Sequence, residues 1–520
     1  MLDKLTGRQV HAYIHFVGLL ALAVGLPLSK IPLSLGTILL GLNVLMYWNW
    51  KEVWKRWVSN QSLIYLFVFS VLLLASIGWS TDKQEALNYI RNCLPFLVLP
   101  FAIYAIPLVK SSHYIWIFAS FVIAVFVISF INVGTYFHWW GNKQYDDIRS
   151  LSLFVSHIRY SLMLVLSIIL CLGWWKRKLP YRNVAIIFIC WFIFYINLSQ
   201  SGTGYIIISI LGFIYYLYFI TTIQRVFVKR MVVLVSFLIF STGVVYVIYQ
   251  LTPTKPKVTL SNQMLGSRSP NGNAYVFNPF ENVSWENGYP VYAFIVDEEL
   301  REAWNQVSKI PYDSTDLKGN PIKPILIRYM TSKGLKKDAT DFSRLTSFDI
   351  HNIESGMTSI EMKDGGIKSF LYQLKYQLKN TDNPNGKSFL ERVEYLKSGF
   401  HILATNWLIG VGAGDLQQTF NQSYDELNSK LIQENRHLTH NQFITFWIAA
   451  GFLCLLIFVG IWVVQLKNAF KSRSIEWLGF LGVLLISFLF EDTLQTQTGA
   501  SFAALFIALF PLLFSTQNKE

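Results

Sequence analysis

Charge is scarce in this chain: 14% of its 520 residues are Asp, Glu, Lys or Arg, against 53% hydrophobic and 16% aromatic. A water-soluble domain of this length carries about a quarter of its residues as charges, so that class is excluded. Cysteine is scarcer still. The four cysteines (Cys93, Cys171, Cys190 and Cys454) all fall in hydrophobic runs, and residues 252–440 contain none. That placement argues against a disulfide framework and against a cysteine-based metal site. The first hydrophobic run lacks a small-residue cleavage site and continues into further runs, so no cleavable signal peptide is expected.

What the chain has instead is long apolar stretches. A membrane crossing needs about 20 mostly apolar residues. Candidate crossings lie near 10–28, 33–50, 62–80, 92–110, 114–137, 155–175, 183–199, 203–222, 231–251, 442–465, 475–490 and 499–516. Pro95, Pro100 and Pro107 leave the ends of the fourth poorly defined. Runs of this length inside a bilayer must satisfy their own backbone groups, so they read as helices. The fold expected is an all-α polytopic membrane protein of about twelve transmembrane helices with a large mixed α/β loop domain. Its divisions are an N-terminal membrane domain of about nine helices over 1–251, a loop domain over 252–440, and a C-terminal membrane domain of about three helices over 441–520.

Basic residues orient it. Alternate short loops hold 17 Lys and Arg on one side and 5 on the other. The richer side, which includes both termini, is read as cytoplasmic, and the long loop as external. Residues 252–440 carry 21 basic and 21 acidic residues, so the net charge of +13 resides wholly in the rest of the chain. The surplus therefore faces anionic headgroups, and nucleic acid is not an expected partner.

Within the long loop, Tyr289–Val296 and Ile325–Met330 are rich in aromatic and β-branched residues and predict short strands. Asp316–Asn320 predicts a hairpin turn between them, and Ser267–Asn273 predicts turns or linker. Helical periodicity takes over at Phe370–Lys379 and Phe389–Ala404, the second placing Arg392, Tyr395, Leu396 and Phe400 on one face. Gly410-Val411-Gly412-Ala413-Gly414-Asp415 follows. It is either a tight turn or a backbone cradle for an oxyanion, formed by Gly412 and Gly414.

Arg436-His437-Leu438-Thr439-His440-Asn441-Gln442 closes the loop where a hydrophobic run begins at Phe443. Polar groups at that boundary serve either interfacial anchoring or proton transfer on a substrate whose tail lies in the bilayer. Asp146-Asp147 and Asp82 with Glu85 are the nearest acidic pairs in the outer loops, with no Asp-x-Asp among them. His437 and His440 lack a clear third ligand. Neither a metal nor any other cofactor is expected.

The ordered set comprising Arg392 in Glu391-Arg392-Val393-Glu394-Tyr395, the glycine run from Ile409 to Asp415, Phe420–Tyr424, and His440-Asn441-Gln442-Phe443 leading to Ala450-Gly451-Phe452 resembles the O-antigen ligase and polymerase superfamily of bacterial membrane glycosyltransferases. The sharp resemblance covers about 390–460. Leu326–Leu335 is similar to loops of Bacteroidetes-type members. The resemblance implies a GT-C-like fold in the bacterial inner membrane, with the large loop in the periplasm and both termini cytoplasmic. It also implies a polyprenyl-pyrophosphate-linked glycan donor in the outer leaflet and a lipid A–core or other glycolipid hydroxyl as acceptor, joined by metal-independent inverting transfer.

On the same resemblance, His440 is the general base and Arg392 the pyrophosphate contact. Arg159, Arg436, His437, Asn441, Gly412 and Gly414 complete the substrate site. Ligases of this type often carry Arg in a Ser-Arg pair opening a mid-chain span; here Leu198-Ser199-Gln200-Ser201 has none. Arg159 is the nearest substitute, its alternative being a guanidinium reaching lipid headgroups. A polymerase joining polyprenyl-linked repeats is the runner-up. Such enzymes often place Gly eleven residues after an outer-loop Arg, whereas Leu403 follows Arg392 and Trp447 follows Arg436 at that spacing. A transporter or flippase fits less well, because ionisable groups at mid-membrane are few.

Overall fold

A computed structural model describes residues 7–140, 151–178, 182–199, 201–252, 257, 267–276, 285–316, 321–362, 366–379 and 384–517. In chain order the helices are α1 (Gly7–Leu28), α2 (Lys30–Met46), α3 (Trp50–Val58), α4 (Gln61–Ala75), α5 (Lys83–Ala105), α6 (Ser111–Tyr136), α7 (His157–Lys176), α8 (Arg182–Leu198), α9 (Gly202–Thr222) and α10 (Val226–Leu251). Two short strands, β1 (Trp285–Glu286) and β2 (Tyr289–Pro290), precede α11 (Asp297–Val307), α12 (Ile322–Ser332), α13 (Ala339–Phe342), α14 (Ser347–Glu354) and α15 (Gly366–Lys379). The chain ends with α16 (Ser388–Asn406), α17 (Leu416–Glu426), α18 (Gln442–Ser472), α19 (Ile475–Phe490) and α20 (Gln497–Gln517).

Among the described residues, seven helices are long and apolar enough to cross a membrane: α1, α5, α6, α7, α10, α18 and α20. The pair α2 and α3 qualifies as an eighth when taken together, although it is bent by 117°. The apolar helices α4, α8, α19 and the first part of α9 are shorter. Each of the twelve expected crossings coincides with one of these helices, while length and hydropathy support seven or eight. On α2 the exposed residues Ile31, Leu35, Ile38, Leu42 and Leu45 form a stripe at helical spacing. In water such a stripe is the face that goes inward; outward-facing, it suits contact with lipid. The fifth helix begins earlier than its hydropathy suggests, because the Asp82 side chain accepts from the Glu85 N–H at 2.9 Å and caps it.

The chain divides into two compact units: residues 1–143, 151–217 and 391–520, and residues 144–150 and 218–390. The membrane and loop divisions of the sequence are therefore not the divisions of compactness. The segment 391–440 belongs with the first unit and α10 with the second.

In the first unit, α4, α5, α18 and α19 meet through aromatic rings. Phe69 lies 5.0 Å from Phe446 and 5.2 Å from Phe458, and Trp462 lies 5.1 Å from Phe488, between ring centroids. All five are fully or almost fully buried. Such edge-to-face pairs fix helix register beyond what area burial does. The chain just before α18 and just after α19 carries His440 and Glu491 of the candidate site.

The second unit corrects the expected mixed α/β domain. Among its described residues it is helical, and the one sheet is the antiparallel pair β1–β2 of two residues each. Ile325–Met330 is not a strand but the body of α12. Its β-branched residues suit a strand, yet Ile322, Ile325, Leu326, Tyr329 and Met330 recur at helical spacing and bury against Trp304, Tyr312, Phe342 and Ile353. Packing of one helical face outweighs local propensity. Pro324 sits in the first helical turn, where a missing N–H costs nothing. Of the expected strand over 289–296, Tyr289 and Pro290 pair in β2, and Ile295 forms isolated bridges to Val276 and Lys337. Most of the expected turn over 316–320 lies outside the described residues. Phe420–Tyr424 is likewise a helix, with both rings buried one turn apart on α17.

Candidate active site

The loop 427–441 leads into α18, and its last residues determine how the site is presented. His440 has φ +50°, the left-handed region that a residue with a Cβ seldom adopts. Five hydrogen bonds made by its neighbours Thr439 and Asn441 hold it there. The Thr439 hydroxyl accepts from the Asn441 N–H at 3.1 Å and pairs with the Thr445 hydroxyl at 2.7 Å. Asn441 Oδ1 caps α18 by accepting from the N–H groups of Phe443 (3.1 Å) and Ile444 (3.2 Å). Its amide nitrogen donates to Leu489 O at 3.3 Å, tying the start of α18 to the end of α19. Backbone strain of this kind is retained where the surroundings over-determine it, and it concentrates at functional sites.

The residue these contacts bring into focus is Glu491, just past α19 and buried. Arg392 on α16 donates from Nη2 to Glu491 Oε1 at 2.8 Å. His440 Nδ1 lies 3.5 Å from Oε2, and Arg159 Nη1 on α7 lies 3.9 Å from it. Arg159 is itself buried, donating from Nε to Thr496 Oγ1 at 3.2 Å and from Nη2 to Asp492 O at 3.3 Å. Three elements far apart in sequence thus converge on one carboxylate. Burial pushes the Glu491 carboxyl up, but His440, Arg159 and Arg392 outweigh it and hold the group below the ordinary carboxylate range. Asp492 beside it is raised, chiefly by burial.

Tyr395, one turn after Arg392, forms the wall. Its buried ring lies 5.3 Å from His440 and 5.9 Å from His437, and the two imidazoles are 5.9 Å apart. Burial and Glu391 push the Tyr395 hydroxyl up to about 12, against Arg392. His437 and His440 lie on non-helical chain, so their proximity comes from the shared tyrosine and not from a helical turn. The Tyr424 hydroxyl donates to His437 O at 2.7 Å. The His437 ring is lowered from its ordinary value by burial and by His440, against Glu391.

Two sequence candidates have other work. Arg436 donates to Leu431 O and Asn421 O, pairs with Asp425 at 2.8 Å and lies over the Tyr424 ring, fastening the loop to α17. The glycine run does not offer its amides to an oxyanion. The N–H of Gly410 donates to Asn406 O, that of Val411 to Ile448 O, that of Gly412 to Ala449 O and that of Gly414 to Ser80 Oγ. A Cβ on Gly414 would meet Asp82 O at 1.9 Å, so the run packs backbone against the chain preceding α5. Asp415 completes the junction by accepting from the N–H groups of Thr81 and Asp82.

Glu491 is the residue that sequence reasoning undervalued. Nothing local to Glu491-Asp492 tells which arginine would meet it.

A family model described as O-antigen ligase matches residues 343–459, so this segment is similar to that family. The matched segment holds Arg392, the glycine run, His437, His440 and Asn441, and leaves out Arg159 and Glu491. No curated protein matches the chain. The family match and the apolar helices together support, in general terms, a multi-pass membrane protein of the O-antigen ligase or polymerase type, a class that joins a polyprenyl-linked glycan to a lipid acceptor.

Proposed function

We propose that this protein is an O-antigen ligase that moves a glycan from polyprenyl pyrophosphate in the outer leaflet to a hydroxyl of lipid A–core. The observation that carries the proposal is the convergence of Arg159, Arg392 and His440 on Glu491. Arg392 remains partly exposed (side chain 40%) where a lipid-borne anion can reach it. Charge that builds on the departing pyrophosphate is met by donors already in place, the term that usually contributes most to such catalysis.

The chemistry is a single displacement. The acceptor oxygen bonds to the anomeric carbon as the bond from that carbon to the phosphate oxygen breaks, inverting the configuration. The hydroxyl proton passes to His440, and polyprenyl pyrophosphate leaves against Arg392, with Arg159 holding Glu491 behind it. A proton on His440 Nδ1, facing Glu491, leaves Nε2 as the base. Tyr395 and His437 hold the imidazole by ring contact, and Asn441 fixes the turn that presents it. The chemistry takes place on the periplasmic side, with twelve crossings in a GT-C-like arrangement and both termini cytoplasmic.

A deletion strain tests the activity. Loss of capped lipopolysaccharide with accumulation of polyprenyl-linked polymer is expected; accumulation of single repeats would assign a polymerase instead. Impermeant thiol labelling tests the sidedness, with a cysteine at Ser267 labelled and one at Ser472 protected. Labelling at Ser472 alone would place the site on the wrong leaflet.

A further inference from the structure

The contacts around Glu491 are unequal, and the inequality suggests movement. Its one close hydrogen bond comes from Arg392, at 2.8 Å on Oε1. The two groups facing Oε2 stop short: His440 Nδ1 at 3.5 Å and Arg159 Nη1 at 3.9 Å, and among the described residues both of those buried nitrogens lack a hydrogen-bond partner. The arginines differ in freedom as well. Arg159 is buried and fixed by Thr496 and the Asp492 carbonyl. Arg392 has a side chain 40% exposed, and Glu491 is its partner in both an ion pair and a hydrogen bond.

A pyrophosphate offers Arg392 what Glu491 offers it, an anionic oxygen pair matched to the guanidinium fork, with more charge. We propose that Glu491 is an exchangeable counter-ion: it holds Arg392 in the arrangement seen here, yields it to the donor pyrophosphate, and then closes onto His440 Nδ1 and Arg159 Nη1. One displacement thereby couples donor arrival to orientation of the base. No proton or covalent bond changes hands in the exchange. A buried carboxylate that lost Arg392 with nothing to replace it would be penalised; the two under-partnered nitrogens provide the replacement. Glu491 acts through Arg392 and His440 and is a positioning residue. The inference rests on the ligase reading, since it takes pyrophosphate as the anion and His440 as the base.

The test separates the two. Purified full-length protein in detergent is titrated with inorganic pyrophosphate by calorimetry, and donor turnover is measured in parallel. Glu491→Gln removes the competing charge while keeping the shape. Pyrophosphate should bind on the order of tenfold tighter to it than to the parent, while kcat falls because His440 loses its partner. A merely structural residue would lower both. Glu491→Asp, drawn back by one methylene, should show a smaller shift of the same sign and serves if the glutamine variant fails to fold. Equal or weaker pyrophosphate binding by the folded variants, with Arg392→Ala still abolishing it in the parent background, would overturn the exchange alone. Pyrophosphate binding insensitive to Arg392 would overturn the ligase reading beneath it, and the exchange with it.

Discussion

Gly410 and Gly451 lie backbone against backbone. A Cβ on Gly410 would sit 2.8 Å from the Gly451 nitrogen, and one on Gly451 would sit 2.3 Å from Leu408 O. Both residues have positive φ, +79° and +84°. At Ala450 and Gly451 the helix α18 breaks, and the carbonyls of Ile448 and Ala449 accept from the N–H groups of Val411 and Gly412. Phe452 N–H donates to Leu408 O in return. Irregular backbone in a crossing helix is tolerated where protein satisfies it, and here the 408–412 segment does so. The same junction fixes the far end of α16, the helix that carries Arg392.

Gly451→Ala should therefore destabilise the protein through both strain and overlap. The left-handed conformation by itself costs a residue with a Cβ about 1–3 kcal/mol. The check is the temperature at which the detergent-solubilised protein loses its monodisperse peak in size-exclusion chromatography. An unchanged temperature would mean that the junction is dispensable.

Arg392→Ala should slow glycan transfer about a hundredfold, corresponding to roughly 3 kcal/mol of lost transition-state stabilisation. Arg392→Lys should recover little of it, because an ammonium cannot reproduce the two-pronged contact. Full activity in the lysine variant, measured with polyprenyl-linked donor in detergent, would reduce the residue to a point charge.

His440→Ala should cost about 10²- to 10⁴-fold in transfer, the usual contribution of a general base. His437→Ala should cost less, since its ring touches His440 and Tyr395 and lacks the Glu491 contact. EDTA should leave turnover unchanged. Near-normal turnover by His440→Ala at normal expression would return both imidazoles to interfacial anchoring.

Acid should erode the contribution of Glu491. Its folded carboxyl lies below the ordinary value of 4.5 because His440, Arg159 and Arg392 outweigh its burial. A depressed carboxylate adds stability that is complete above the unfolded value and is lost as pH falls through the folded one. Asp492, raised by burial and in part by Glu491 itself, works in the opposite sense, so the comparison with Glu491→Gln is made with Asp492→Asn in both proteins. The gap in thermal midpoint between the parent and that variant should hold steady down to about pH 5 and shrink below the ordinary carboxylate range. A gap that widens on acidification would reverse the sign of the coupling.

The sequence by itself determined what depends on short range. Apolar runs located the crossing helices, since the solvent leaves no other solution for the backbone. Helical spacing located α15 and α16 to within a few residues, and the glycines of 410–414 marked a turn. Arg392, Arg159 and His440 could be singled out by residue type and by position near helix ends. What they meet could not. Arg159 and Glu491 are separated by 332 positions, and their approach depends on how α7, α16, α18 and α19 pack. The same limit explains Ile325–Met330, where β-branched residues favour a strand locally and a buried helical face wins once Trp304 and Tyr312 are in place. It explains the glycine run too, whose amides read as open until Ile448, Ala449 and Ser80 are brought against them. Hydropathy and periodicity are properties of neighbours along the chain; charge pairing and backbone contact are properties of neighbours in space, and only tertiary packing chooses those.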